Sequence, residues 1–170
     1  MRRVAMGLIS SLAMMTTGLA LAADPAVVAN LTAVKVVLKS GKETLATADK
    51  AAPGDVIEYR VDYHNASKHS VGNVLATLPV PATGVEFLPG SEAPRGAIAS
   101  VDGKTFSPIP LMRTVKLPNG RTETQPVPYS EYRYLRWSLG DLPADAHKRV
   151  SARVRLTAAS ASNSSSDGNP

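Results

Sequence analysis

The chain has 170 residues, of which 44% are hydrophobic and 5% aromatic, with 13 prolines, 12 glycines and a formal net charge of +5. This length suits one domain, and the hydrophobic content is too high for a wholly disordered chain. The sequence contains no cysteine, which excludes disulfides, thiolate zinc sites and a cysteine nucleophile.

Residues 1–22 have the pattern of a secretory signal peptide. Arg2 and Arg3 precede an uncharged stretch of 18 residues at positions 4–21, and Ala20-Leu21-Ala22 has the small-x-small form of a cleavage site. A retained membrane anchor is the alternative, because this stretch approaches the length of a bilayer span. Its small and polar residues favour cleavage. We therefore expect a periplasmic or extracellular protein with no integral membrane segment after cleavage.

Cleavage changes the charge balance. Without Arg2 and Arg3 the chain keeps 17 basic against 14 acidic residues, a net charge of +3. The basic residues are scattered, and an exported protein rarely meets nucleic acid, so we predict no nucleic-acid partner. Weak attraction to anionic polymers of the envelope is compatible with this charge, and a plain solvated surface is the alternative.

The first half of the mature chain is predicted to be extended. Residues 23–30 form a short lead, and from Leu31 onward apolar residues alternate with a period of two, which favours strands. Strands are predicted at residues 31–38, 43–48, 56–63, 71–78 and 85–88. The strand at 56–63 is the clearest, with Tyr59 and Val61 predicted to face the core and Glu58 and Asp62 to face solvent. Asn65 is predicted to cap the following turn.

The second half predicts two hairpins and two closing strands. Residues 97–101 are predicted to pair with 104–109 around Asp102-Gly103, and 111–117 with 121–127 around residues 118–120. Strands follow at 132–139, which contains the core candidate Trp137, and at 147–156, with residues 140–145 interrupting them. Residues 159–170 are rich in Ser and Asn and are predicted to be a disordered tail.

This order of elements predicts an all-β fold for residues 31–158. No long stretch of the mature chain has a helical apolar stripe, and turns recur along it at strand-length intervals. We therefore predict an immunoglobulin-like antiparallel β-sandwich of about seven to nine strands.

Three motifs in order resemble the bacterial conserved-repeat domain called domain of unknown function eleven. They are the Pro-Gly-Asp and Tyr-containing strand at residues 53–65, the Leu78-Pro79 pair with the short strand 85–87, and Trp137 followed by residues 139–142 and the strand 150–156. The chain departs from the family pattern at Ala76, where the family usually has Asp, and at residues 103–132, which form a longer segment than the family's central hairpin. It implies an immunoglobulin-like sandwich in an exported surface protein, and no particular chemistry.

The sequence predicts no catalytic, cofactor-binding or metal site and therefore no enzyme. It has no nucleophile elbow, paired-histidine metal motif or phosphate-binding glycine loop. His64 and His69, with Asp62 nearby, could hold a metal ion, but we interpret them as solvated loop residues. A covalent bond from Lys35 or Lys39 to Asn65 or Asn73 is a further, less favoured hypothesis.

Residues 106–136 are the predicted contact region. Arg and Tyr are frequent in binding hot spots, and loops on a rigid scaffold often carry binding residues. The alternative is a long hairpin whose basic residues are only hydrated. The candidate partner contacts are Arg113, Lys116, Arg121, Tyr129 and Tyr132.

These observations predict a non-enzymatic structural or protein-interaction module of the bacterial cell envelope. The alternative is a periplasmic binding or assembly factor that uses residues 106–136 to hold a protein or an acidic polymer. The partner is in both cases an unknown protein or envelope polymer, and no cofactor is expected.

Overall fold

The computed structural model describes residues 26–158, so the predicted signal peptide and the predicted tail lie outside the described residues. The described part of the chain contains eleven strands, where seven to nine are predicted for the sandwich itself. They are β1 (Val27–Lys39), β2 (Lys42–Thr47), β3 (Val56–Asn65), β4 (Val71–Pro79), β5 (Val85–Phe87), β6 (Ile98–Ser100), β7 (Ser107–Pro108), β8 (Met112–Lys116), β9 (Thr122–Pro126), β10 (Tyr134–Leu142) and β11 (His147–Leu156).

Nine of these strands form two packed sheets, and all of the pairings are antiparallel. The larger sheet has the order β2-β1-β3-β11-β5, and the smaller one has the order β4-β10-β6-β7. The remaining strands, β8 and β9, pair only with each other. The predicted antiparallel β-sandwich is confirmed with nine strands in its two sheets, and the two-stranded hairpin outside it accounts for the other two strands.

The core lies between the two sheets, because one face of each central strand is apolar. The larger sheet contributes alternate residues such as Ile57 and Val61 of β3 and Val150 of β11, and the smaller sheet contributes Leu78 of β4 and Leu135 of β10. Trp137 is 2% exposed and its indole N–H donates to the carbonyl of Pro94 at 2.7 Å. Tyr59 is half-buried against the same core.

Several predicted element boundaries differ from the structure, and three of the differences have a clear structural basis. Strand β1 begins at Val27 rather than at Leu31, because its first residues pair with the end of β3. Strand β10 continues through Gly140 instead of ending before it. The pairing of β10 with β4 shifts register on both sides of Gly140, and this glycine has a φ of +63°. The predicted pairing of 97–101 with 104–109 is confirmed as β6 with β7, but the connection runs from Val101 to Phe106 instead of a tight turn at Asp102-Gly103.

Asn65 ends β3 and holds the turn that follows, as predicted. Its side-chain oxygen accepts hydrogen bonds from the backbone N–H and the hydroxyl of Ser67, at 3.0 and 2.7 Å. Its amide nitrogen lies 2.7–3.0 Å from the carbonyl oxygens of His69, Leu142 and Pro143. Because Asn65 is fully buried, these contacts join the turn after β3 to the end of β10.

Glu58 does not face solvent, which corrects the prediction. Its side chain is only 11% exposed, because two guanidinium groups cover it on the outer face of the larger sheet. Arg60 and Arg153 donate to its two carboxylate oxygens at 2.6 and 2.9 Å. Arg153 also makes a two-pronged contact with Glu43 of β2, at 2.8 and 2.9 Å, so it reaches across the outer face over two strands. Asp62 is half-buried and paired with Arg149 at 2.6 Å.

Within residues 26–158, no helix has both the length and the apolar character that a membrane crossing requires.

Candidate interaction site

The hairpin of β8 and β9, which we call the ribbon (residues 111–127), is the central feature of the predicted contact region. The predicted pairing of 111–117 with 121–127 is confirmed, with Arg113 opposite Gln125 and Lys116 opposite Thr122. At the tip, Gly120 has a φ of +81°, a conformation that glycine adopts without strain, and the Asn119 side chain accepts the N–H of Arg121 at 3.0 Å. Most residues of the two strands are exposed.

The base of the ribbon is fixed in the core. Leu111 and Val127 are buried, and the N–H of Val127 donates to the carbonyl of Leu111 at 2.8 Å. The N–H of Leu111 in turn donates to the hydroxyl of Tyr132 at 2.6 Å. The ribbon is therefore held at its two ends while both of its strands stay outside the hydrogen-bond ladders of the sandwich.

Tyr132 is a core residue, so its prediction as a partner contact is wrong. It is fully buried and packs in an aromatic group with Phe87 and Tyr129, at ring-centroid distances of 5.6 and 5.3 Å. Tyr129 is half-buried on the same group. The alternation of Tyr with charged residues does not predict the burial of Tyr132. This residue precedes β10, and its position depends on the short 3₁₀ turn at Tyr129–Glu131.

The three predicted basic contacts all lie on the exposed ribbon. Arg113 pairs with Glu131 at 2.7 Å, and both side chains are about two-fifths exposed at 42% and 40%. Lys116 and Arg121 flank the tip and are exposed. Residues 111–127 carry three basic residues and one acidic residue, Glu123. The ribbon thus presents a net positive charge to solvent, concentrated at its tip.

A groove of about 210 Å³ lies beside the base of the ribbon. It is lined by apolar side chains such as Leu111, Met112 and Val127, and by the pair of Arg113 and Glu131. Asp102 also borders it, but its carboxylate accepts the N–H groups of Thr105 and Lys104 and the hydroxyl of Ser100, which lower its pKa to about 2. Asp102 is therefore ionised near neutral pH, where it stabilises its own loop and is a poor proton donor or acceptor.

Other basic residues of the region 106–136 have intramolecular roles. The guanidinium of Arg136 lies 3.6 Å from the centroid of the Phe106 ring, which is a cation–π contact. Arg133 donates to the carbonyls of Ser130 and Tyr132 at 2.7 and 2.8 Å. These contacts leave the ribbon as the part of the region that is free to meet a partner.

The structure separates the histidines that the sequence placed in one loop. His64 lies on β3, where its ring stacks on that of His147 of β11 at 4.1 Å, and His69 lies in the turn beyond it. Among residues 26–158, no group of three or more His, Cys, Asp or Glu side chains is arranged to hold a metal ion.

The hypothesis of a Lys–Asn covalent bond is also not supported by the geometry. The ammonium of Lys35 pairs with the carboxylate of Asp55, which also accepts the backbone N–H of Ala52. The Asn65 amide is already engaged by backbone carbonyls. Lys35 and Asn65 are not partners across any ladder, since Lys35 lies opposite Ile57 and Asn65 opposite Val27.

Comparisons with known proteins identify no relative: no family model, no curated protein and no solved structure matches the chain. The fold and the exposed ribbon define the molecule as an antiparallel β-sandwich with a projecting hairpin. The resemblance to the bacterial conserved-repeat domain stays a prediction.

Proposed function

We propose that this chain is an exported, non-enzymatic interaction module of the bacterial cell envelope, and that the ribbon is its contact surface. The proposal of export depends on the signal-peptide pattern of residues 1–22. The single structural observation that supports the contact surface is the ribbon itself, which is exposed along both strands and anchored at its base by Leu111 and Val127.

A two-stranded ribbon is marginally stable in water when isolated. Here the buried base fixes its position, so little conformational entropy is lost when a partner binds the exposed strands. The groove beside the base adds apolar surface next to the Arg113–Glu131 pair. Apolar surface next to charged groups is the composition typical of protein–protein contacts. The favoured partner is therefore a protein with an acidic patch.

The positive charge of the ribbon also favours a second candidate, retention on an acidic envelope polymer. A polymer would contact mainly Lys116 and Arg121 at the tip and would not fill the groove. Its binding would be strongly weakened by salt, since contacts between exposed charges are screened within about 10 Å at 0.1 M ionic strength. A protein that buries the groove would retain more of its affinity at high salt.

The test compares envelope retention of the unmodified protein with that of a variant carrying Arg113→Ser, Lys116→Ser and Arg121→Ser. We expect the variant to be released into the soluble fraction at least several-fold more than the unmodified protein. A second variant, Met112→Ser, alters the groove without changing charge. Loss of retention in the Met112 variant supports a protein partner, and loss in the triple variant alone supports an acidic polymer.

The chain offers a matched control at the opposite hairpin. Lys39 and Lys42 flank the β1–β2 turn, Lys50 lies beyond the other end of β2, and all three are exposed, so replacing them with Ser removes the same charge from a different surface. If this control is released as readily as the ribbon variant, retention depends on net charge and the ribbon is not the contact surface. N-terminal sequencing of the exported protein tests the first part of the proposal, with Ala23 as the expected first residue.

A further inference from the structure

Two histidines from different strands meet on the outer face of the larger sheet. His64 of β3 and His147, the first residue of β11, lie directly opposite each other. The neighbouring pair, Asn65 and Ala146, is joined by a backbone hydrogen bond, in which the N–H of Asn65 donates to the carbonyl of Ala146 at 3.0 Å. The histidines therefore occupy a non-hydrogen-bonded position, where opposite side chains come closest in an antiparallel pair.

The two imidazole rings are parallel and accessible. Their centroids are 4.1 Å apart, and their planes differ by 2°. His147 is exposed and His64 is half-buried. The hydrogen bonds of the adjoining turn use the side chain of Asn65 and the backbone of His69. Among the residues that the structure describes, the ring nitrogens of this histidine pair have no hydrogen-bond partner.

The charges around the histidine pair are nearly balanced. Along the same face, the adjacent position holds Asp62 and Arg149, which are bound to each other at 2.6 Å. Lys148 follows His147 but its ammonium donates to the carbonyls of Leu139 and Asp141, away from the rings. Arg149, the nearest basic side chain on this face, is therefore already paired, so it offers little repulsion to an arriving cation.

We propose that His64 and His147 bind a divalent late transition-metal ion, Cu²⁺ in preference to Zn²⁺, through one imidazole nitrogen each. Imidazole suits both ions, and Cu²⁺ binds nitrogen ligands more tightly in the general order of first-row metals. A metal–nitrogen bond is about 2.1 Å long, so two nitrogens on one ion lie about 3–4 Å apart. Each nitrogen lone pair lies in the plane of its ring, so the two parallel rings must turn out of their stacked arrangement to point at one ion. His147 is exposed and χ2 is a soft torsion in histidine, so the side chains have room for this rotation.

Water completes the coordination of this two-ligand site, because no larger cluster of metal-binding side chains is present among residues 26–158. The site lies on the face of the larger sheet and shares no residue with the ribbon. Metal binding therefore differs from the proposed contact function in residues and in readout, and either can fail without the other.

The experiment titrates the untagged protein with Cu²⁺ and with Zn²⁺ by calorimetry. We expect one Cu²⁺ per chain with tighter binding than Zn²⁺, and an increase in Kd of at least tenfold in His64→Ala and in His147→Ala. His69→Ala is the matched control, since it removes an exposed histidine five residues from His64, and its Kd should be unchanged. The melting temperature should rise with Cu²⁺ in the unmodified protein and not in the double variant.

Electron paramagnetic resonance of the unmodified protein with one equivalent of Cu²⁺ gives a readout that does not depend on the folding of a variant. Hyperfine structure from two imidazole nitrogens is expected. The proposal is overturned if the spectrum shows fewer than two, if the double variant binds Cu²⁺ as tightly as the unmodified protein, or if His69→Ala loses as much affinity as His64→Ala.

Discussion

Glu58 lies on the outer face of β3 among charged side chains from three strands. Burial by itself raises the pKa of this carboxyl, but the hydrogen bonds from Arg60 and Arg153 outweigh it, so the pKa lies below its ordinary value. The contact with Glu43 raises the pKa of Arg153 further above its ordinary value, despite partial burial. The ionised form of Glu58 is therefore favoured by folding, and this cluster fixes β2, β3 and β11 relative to one another.

Replacing Glu58 with Gln should lower the free energy of unfolding by about 1–3 kcal/mol at neutral pH, the cost of hydrogen bonds to a buried charged group. A carboxyl with a lowered folded-state pKa stabilises the protein above its unfolded pKa of about 4.3, and this contribution is lost as the pH falls through the folded pKa. The difference in free energy of unfolding between the unmodified protein and Glu58→Gln, measured by urea denaturation, should therefore reach its maximum above about pH 5 and decrease in more acidic solution. Glu123→Gln on the exposed ribbon is the control. A difference that is independent of pH would contradict this account.

Asn65→Ala should be more costly, by about 3 kcal/mol, because it removes at one fully buried position the amide that donates to the carbonyls of Leu142, Pro143 and His69 and the oxygen that accepts from Ser67. Chemical denaturation measures this change. Asn30→Ala is the matched control, since Asn30 is exposed on β1. A cost for Asn65→Ala as small as that of the control would show that water replaces the amide in the turn.

At the scale of the element, one hydroxyl group contributes to anchoring the base of the ribbon. Tyr132 accepts the N–H of Leu111 at the point where the chain leaves the core for β8. Burial raises the pKa of the Tyr132 hydroxyl, while its contact with the Leu111 backbone works in the opposite direction. The net rise means that the neutral hydroxyl is the form present at physiological pH, and it remains available as the acceptor for the ribbon base.

Tyr132→Phe keeps the aromatic packing and removes only the hydroxyl group. We expect a loss of about 1 kcal/mol in the free energy of unfolding, with faster amide hydrogen exchange at Leu111 and Val127 than in the unmodified protein. Tyr129→Phe is the matched control in the same aromatic group and should change neither quantity. Unchanged exchange at Leu111 in Tyr132→Phe would show that the hydroxyl does not anchor the ribbon.

Most elements of this fold can be predicted from the sequence, because a half-buried antiparallel strand alternates strictly. Residues 56–63 and 147–156 show this pattern, and both are strands with the predicted core face. The continuation of β10 through Gly140 could not be predicted, since glycine marks both a bulge and the end of a strand.

The candidate site was only partly predictable. The ribbon follows from its turn residues 118–120 and from the alternation that flanks them. The burial of Tyr132, the groove and the histidine pair depend on contacts between segments far apart in the chain. His64 and His147, for example, become neighbours only through the register of β3 with β11.

At the scale of the whole molecule, Tyr63 connects the two sheets by more than packing. Its ring belongs to the core face of β3, and its hydroxyl meets the backbone of Thr77 in β4, accepting the N–H at 2.9 Å and donating to the carbonyl at 3.1 Å. Strand β4 is the edge of the smaller sheet. The hydroxyl therefore satisfies backbone groups of an edge strand that have no neighbouring strand.

Tyr63→Phe should lower the free energy of unfolding by about 1–2 kcal/mol, because it removes both of these contacts while keeping the ring. Equilibrium denaturation measures the loss, and hydrogen exchange at Thr77 should increase. Tyr59→Phe, on the same strand and half-buried, is the control. Equal stability of the two variants would mean that the sheets are held together by apolar packing alone.

The ribbon starts and ends at Leu111 and Val127, which bond to each other through the backbone. Insertions, deletions or exchanges between them break no ladder of the sandwich. The sequence of this segment can therefore change with little effect on the stability of the sandwich. The same separation makes the ribbon a graft point, at which a foreign recognition sequence can be carried on an unchanged scaffold.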